Sequence, residues 1–206
     1  MRFIIPLSCF PDVRFLSILH HASEDCLLEV NDHYERQTLR NRYQIAGSQG
    51  TINLSIPCSP LPDRYYSSTI INNRDDWQRT HWRTLTACYS RAPYFIYYID
   101  AFEPLYKNSF HSIFEFNIEA LTILCRIWNL SLPNTTENWY DYPSDKNIDL
   151  RSWIYPAKTL QTPYAEYAQV FAEKNGFFGG CSALDILFNC GPEAPHLFEK
   201  TFKMLF

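Results

Sequence analysis

The chain has no apolar stretch long enough to cross a bilayer, and its amino terminus, MRFIIPLSCFPDVRF, is interrupted by Pro6 and Pro11 before a signal-peptide core can form. This excludes a transmembrane segment and leads to the expectation of a soluble, cytoplasmic protein. Positive charge is not in excess either: 18 Lys and Arg stand against 22 Asp and Glu, a formal charge of −4. A chain that coats polyanions carries the opposite balance, so nucleic acid is not an expected partner. The seven cysteines, Cys9, Cys26, Cys58, Cys88, Cys125, Cys181 and Cys190, never fall in C-x-x-C spacing and read as reduced, buried small side chains. The six histidines form no H-x-x-x-H pair, so no metal site is expected. The glycine-rich KNGFFGGCSALD lacks the Lys-Ser/Thr ending of a P-loop, and a turn with a helix cap explains it. The D-x-D motif of metal-diphosphate chemistry is missing too, which points to a metal-independent reaction.

What the chain has is apolar bulk, at 46%, and aromatic rings, at 17%, in 206 residues. That length supports one well-buried core, and the expectation is a single domain over residues 1–206. The fold class is read as α/β or α+β, with a β-rich amino-terminal third and a mostly helical remainder. Residues 2–8 and CLLEV read as buried strands around a Pro-initiated helix, and YQIAGSQGTINLSIP reads as a hairpin turning at Gly47 and Gly50. A capping box at Asp75 and Gln78 opens a helix to about Arg91, followed by an aromatic helix broken near Pro104. SFHSIFEFNIEALTILCRIWNL is the clearest helix, with Phe110, Phe114, Leu121, Leu124 and Trp128 at three- and four-residue steps. Residues 131–165 read as mostly loop. Ser182 then caps ALDILFN, Gly191 stops it and Pro192 starts a last helix.

Ionisable groups crowd into NDHYERQTLRNRYQIAG, which lies between a strand and a hairpin, where sites are usually built. An imidazole such as His33 beside Asp32 suits a general base near neutral pH, and guanidinium forks such as Arg40 and Arg42 bind carboxylate or phosphate oxygens. If Arg40 and Arg42 open a strand, both project to one face and Asn41 to the other. On the following helix Trp77 and His81 share the inward stripe, His81 either as a satisfied core residue or as a catalyst. Asn117 repeats the anomaly in the long helix, where a buried amide either ties helices together or reaches a pocket.

Taken in order, the residues DHYERQTLRNRYQIAG, LSIP, DWQRTHWRTLTACYSRAPYF, FEFNIEAL, YAQVFAEKNGFF and SALDILFNCGPEA resemble the WbqC-like family, in its Bacteroides-type form. The resemblance covers nearly the whole chain and is most specific at DHY with RNR-x-x-I, at W-x-x-x-HW and at DILFN-x-GPEA. It departs at SCFPDVRFL, where similar proteins carry aromatic, proline and glutamine residues and this chain has Asp12 and Arg14. The family takes its name from a gene product associated with O-antigen synthesis. It therefore implies a cytoplasmic transferase of surface polysaccharide synthesis, moving an acyl or aminoacyl group to an activated or amino sugar. In that reading His33 or His81, with Asp32, supplies the base. Arg40, Asn41 and Arg42 hold an anionic group, Trp77 and Tyr34 stack on a sugar or donor ring, and Asn117 lines the pocket. The expected partner is a small-molecule sugar or acyl donor; no cofactor or oligomeric state is named. Two rivals stand beside it: a non-catalytic ligand-binding or assembly protein of the same pathway, and a metal-independent glycosyltransferase.

Overall fold

The computed structural model describes residues 2–63, 65–74, 76–136, 147–156 and 163–206. The chain opens with β1 (Arg2–Pro6), α1 (Val13–Ala22) and β2 (Cys26–Glu29), followed by β3 (Arg42–Gly47), β4 (Gly50–Ser55) and the two-residue strands β5 (Cys58–Ser59) and β6 (Ile70–Ile71). Three long helices come next, α2 (Trp77–Tyr89), α3 (Phe95–Lys107) and α4 (Ile113–Trp128). Then come β7 (Asn134–Thr136), β8 (Asn147–Asp149), the short α5 (Ala172–Asn175), α6 (Ala183–Cys190) and α7 (Ala194–Leu205).

The β1–α1–β2 unit forms because β1 and β2 are almost continuously apolar, as strands covered on both faces must be. The two strands pair in parallel, Phe3 opposite Cys26 and Pro6 opposite Glu29. Asp12 caps α1, accepting the Arg14 backbone N–H at 3.0 Å. On the outer side, α7 packs along α1, with the His21 ring stacked on Phe202 at 4.2 Å between centroids.

β7 and β8 extend this sheet to the parallel order β7-β2-β1-β8, so the architecture is α/β with the sheet built mainly from the amino-terminal third. Within the stretch 131–165, expected to be mostly loop, these two short strands stand out. Three-residue strands carry no readable periodicity, and these two gain their hydrogen bonds from the edges that β1 and β2 present. Part of that stretch, 137–146 and 157–162, lies outside the described residues, as does Asp75 of the expected capping box.

β3 and β4 form the expected antiparallel hairpin, Gly47 facing Gly50, with Gly50 at φ +132°. α3 is not broken at Pro104: it runs through to Lys107. The carbonyl that Pro104 cannot serve belongs to Asp100, four residues earlier on the exposed face, where solvent can bond it. A capping box does exist, but at α4, where Ser112 and Glu115 bond each other's backbone N–H. The buried stripe of α4 includes Ile113, Phe116, Asn117, Ala120, Leu121, Leu124 and Trp128; Phe110 precedes the helix and Phe114 is half-buried. Gly191 ends α6 at φ +51°, and a Cβ there would run into the Tyr94 ring.

The core is strongly aromatic: Phe10 lies edge-on to Tyr43, Phe102 and Phe116. All seven cysteines are free; Cys58 and Cys190 are half-buried and the others buried. Among the described residues no helix is long and apolar enough to cross a membrane.

Candidate functional site

β2 ends at Glu29, and the chain leaves the carboxyl edge of the parallel sheet through residues 31–41 before re-entering as β3. Ligands of open α/β sheets sit at that edge. Here Arg40 is drawn wholly out of solvent, at 0% exposure, while Asp32 keeps 28%. Arg40 Nη2 donates to Asp32 Oδ2 at 2.6 Å, and the guanidinium carbon lies 4.6 Å from the Tyr66 ring centre. Its Nε and Nη1 are buried with no hydrogen-bond partner among the described residues.

Asn117 reaches the same place from α4. Its Nδ2 donates to the Arg40 carbonyl at 2.7 Å and to the Tyr66 hydroxyl at 2.6 Å, and its Oδ1 is buried without a partner. Burial holds the Tyr66 phenol protonated well above its ordinary range. Buried polar groups are nearly always paired, so three spare atoms on two touching residues mark a position with unused binding capacity.

Asp32 also accepts the His33 backbone N–H, at 2.9 Å, and its carbonyl accepts from Tyr66 N–H at 2.8 Å. The exposed His33 ring stacks on Tyr65, 5.4 Å between centroids and 9° from parallel. Asp32, His33, Arg40 and Asn117 thus come together with Tyr65 and Tyr66, which no motif or periodicity in the sequence singles out.

The other expected site residues go elsewhere. Tyr34 is buried against Cys58, and burial together with that thiol pushes its hydroxyl up to about 12. Asn41 ties the loop to the chain just after β4: its Nδ2 donates to the Ile56 carbonyl at 2.7 Å and its own carbonyl accepts Ile56 N–H at 2.8 Å. Arg42 Nε donates to Ser55 Oγ at 3.1 Å. β3 begins only at Arg42, so Arg40 lies in the preceding turn and the two-residue strand repeat does not join the two guanidinium groups.

His81 is 3% exposed, with Nδ1 3.1 Å from the Tyr43 hydroxyl, which lies 3.0 Å from the Tyr106 hydroxyl. Burial pushes His81 down to about 4, against a smaller upward pull from a hydrogen bond to the Ser55 backbone. It is therefore a neutral imidazole near pH 7. Trp77 packs edge-on against it at 5.2 Å and against Phe116 at 5.7 Å. No hydrogen bond or ring contact joins Trp77 or His81 to Asp32, His33 or Arg40 among the described residues.

Two further polar clusters were legible only in part. Asp12 and Arg14, the departure in the first loop, form a buried ion pair at 2.6 Å with the guanidinium against Trp153 at 4.8 Å. Asp185, inside DILFN, accepts from the Tyr89 and Tyr167 hydroxyls and from Gln169 Nε2 at 2.8 Å; burial raises its carboxyl and those bonds oppose the rise. The glycine-rich approach to α6 makes no phosphate cradle. The N–H groups of Ser182 and Ala183 are taken by the carbonyls of Gln44 and Pro11. Cys9 is 2% exposed, and burial keeps its thiol protonated. Among the described residues no three His, Cys, Asp or Glu side chains gather as a metal site.

A cavity of about 710 Å³ opens elsewhere, between α2, the β3–β4 turn and residues 170–171; none of the expected site residues lines it.

The WbqC-like protein family matches residues 8–155. An uncharacterized protein of Mycobacterium tuberculosis, Rv1507c, is 26% identical over 196 residues, covering 79% of this chain and 82% of that one. No solved structure gives a significant match.

Proposed function

Because the chain belongs to the WbqC-like protein family, we propose that it is a cytoplasmic, metal-independent transferase of surface polysaccharide synthesis that takes a carboxylate- or phosphate-bearing sugar or acyl donor at Arg40. The observation that carries this is the buried guanidinium with two unpartnered nitrogens beside the unpartnered Asn117 Oδ1. Guanidinium forks bind carboxylate and phosphate in bidentate fashion, and such bonds strengthen away from water. Entry requires Asp32, the partly exposed partner of Arg40, to turn away from Nη2 and let the ligand anion take its place. The 31–41 loop already holds Gln37 at φ +63°, a conformation costly for a side chain of that size.

His33, exposed and next to Asp32, takes the role of base. In acyl transfer the acceptor amine or hydroxyl attacks the donor carbonyl, the bond to the leaving oxygen or sulfur breaks, and the acceptor proton passes to His33. His81 is given no proton to move, since it is buried at 3% exposure with its Nδ1 engaged by the Tyr43 hydroxyl. Non-catalytic binding is the second reading, favoured by one contact: Asp32 meets the backbone N–H of His33 rather than its ring.

The test is a melting-temperature screen of the wild type, Arg40→Lys and His33→Gln against nucleotide sugars, acyl-CoA compounds, amino sugars and amino acids, since a ligand that binds the folded chain raises the melting point by an amount that grows with the logarithm of its concentration over Kd. An anionic compound should stabilise the wild type and His33→Gln but not Arg40→Lys, and turnover with that compound should vanish in His33→Gln. Equal stabilisation of Arg40→Lys removes the Arg40 site. Turnover that survives His33→Gln removes the assigned base.

A further inference from the structure

The 710 Å³ cavity falls within the range of about 300–1,000 Å³ that small-molecule sites occupy. Its wall carries two arginines, Arg83 and Arg91, with the hydroxyls of Thr84 and Ser90, over a floor that includes Ile52 and Phe171. No Asp or Glu lines it, nor the adjoining cavity of about 420 Å³ that shares Arg91 and Phe171. Neither arginine makes a hydrogen bond or ion pair among the described residues. Outside the lining, Lys174 Nζ donates at 3.0 Å to the carbonyl of Ser48, one of the lining residues. The carboxylate behind the wall, Asp185, has its oxygens occupied by Tyr89, Tyr167 and Gln169.

We propose that this groove is a second binding site, for a phosphorylated ligand of nucleoside diphosphate size, with its phosphates between Arg83 and Arg91 and its ring on the Ile52–Phe171 floor. Arg83 lies within α2, about 9 Å of helical rise before the helix ends at Tyr89, and Arg91 lies just beyond that end. A separation of that order exceeds a single phosphate and leaves room for a diphosphate between the two cations that line the cavity. Arg91 follows the last turn of α2, where a cation also complements the helix dipole. Arg83, in the middle of the helix, has no such role. An acid-free wall with two uncompensated guanidinium groups favours anions strongly over neutral ligands.

The experiment is calorimetric titration of the full chain with ADP, inorganic pyrophosphate and adenosine, on the wild type, Arg83→Gln, Arg91→Gln and Arg40→Lys. ADP should bind with a Kd below about 1 mM, the upper end of ordinary substrate affinities. Each glutamine variant should weaken it about tenfold by loss of a charged hydrogen bond. Both arginines are exposed, so unchanged melting temperatures confirm that the variants fold. Arg40→Lys should bind ADP like the wild type, which separates this site from the one at Asp32. Adenosine should not bind, and pyrophosphate should bind more weakly than ADP because it leaves the apolar floor uncovered. Absence of saturable ADP binding, or ADP affinity indifferent to both glutamine variants, overturns the proposal. Pyrophosphate binding as tightly as ADP overturns the nucleotide size assigned to the ligand.

Discussion

Replacing Asp32 by asparagine keeps the shape of the loop but leaves Arg40 as a charge in the core without its counter-ion. The Arg40–Asp32 contact is 2.6 Å long, with Arg40 fully buried and Asp32 28% exposed. Removing one partner of a buried pair costs about 3–5 kcal/mol, and the partial exposure of Asp32 places this case near about 3. For a chain of this size that lowers the melting temperature by about 6–12 °C. Arg40→Met should cost less, about 1 kcal/mol. It sacrifices the contact with the Tyr66 ring but relieves two unpartnered nitrogens, and the Asp32 it leaves behind is reached by water. The double variant should then be as stable as Arg40→Met alone, because the stranded charge is gone. Urea denaturation of the three variants measures this directly. Additive losses in the double variant, or an Asp32→Asn cost within about 0.5 kcal/mol, the usual range for surface changes, would refute the view that the Arg40 charge is buried and held by Asp32.

His81 makes stability depend on pH. Burial lowers its pKa from 6.5 to about 4, so the unfolded chain takes up a proton below 6.5 that the folded chain refuses; stability is full above 6.5 and falls as pH drops toward 4. The loss amounts to about 3 kcal/mol at about 1.36 kcal/mol per unit, and it should disappear from the pH–stability curve of His81→Gln; an unchanged curve would contradict it. Asn117→Leu strands the Arg40 carbonyl and the Tyr66 hydroxyl together and should cost about 2–4 kcal/mol in denaturant unfolding. Ser182→Ala should be neutral or stabilising by up to about 1 kcal/mol, since its buried Oγ bonds nothing among the described residues and caps no N–H; a clear loss by thermal melting would show a partner for that hydroxyl.

Much of the framework could be read along the chain because it depends on neighbours in sequence. The continuous apolar runs of β1 and β2, the Gly47–Gly50 turn and the Gly191 stop are set by local sterics and burial, and they appear where the pattern put them. A proline breaks a helix only when the carbonyl it abandons has no other recourse, and at Pro104 exposure of Asp100 on the outer face supplies one, a fact no local pattern carries. β7 and β8 were invisible because their strand character comes from the edges of strands more than a hundred residues away.

The same division runs through the candidate site. Composition and spacing alone marked residues 31–42 as a concentration of charge, and Asn117 as a polar residue on a buried stripe. Tertiary structure decided what each charge does. It buried Arg40 against Tyr66 and Asp32, left Arg42 on Ser55, and spent His81 on Tyr43. It also opened the groove at Arg83 and Arg91, which no motif announced. Sequence fixes which groups are available and their local backbone. Burial, counter-ions and cavities depend on which distant segments pack together, and those determine whether a guanidinium or an imidazole is a ligand site or part of the core.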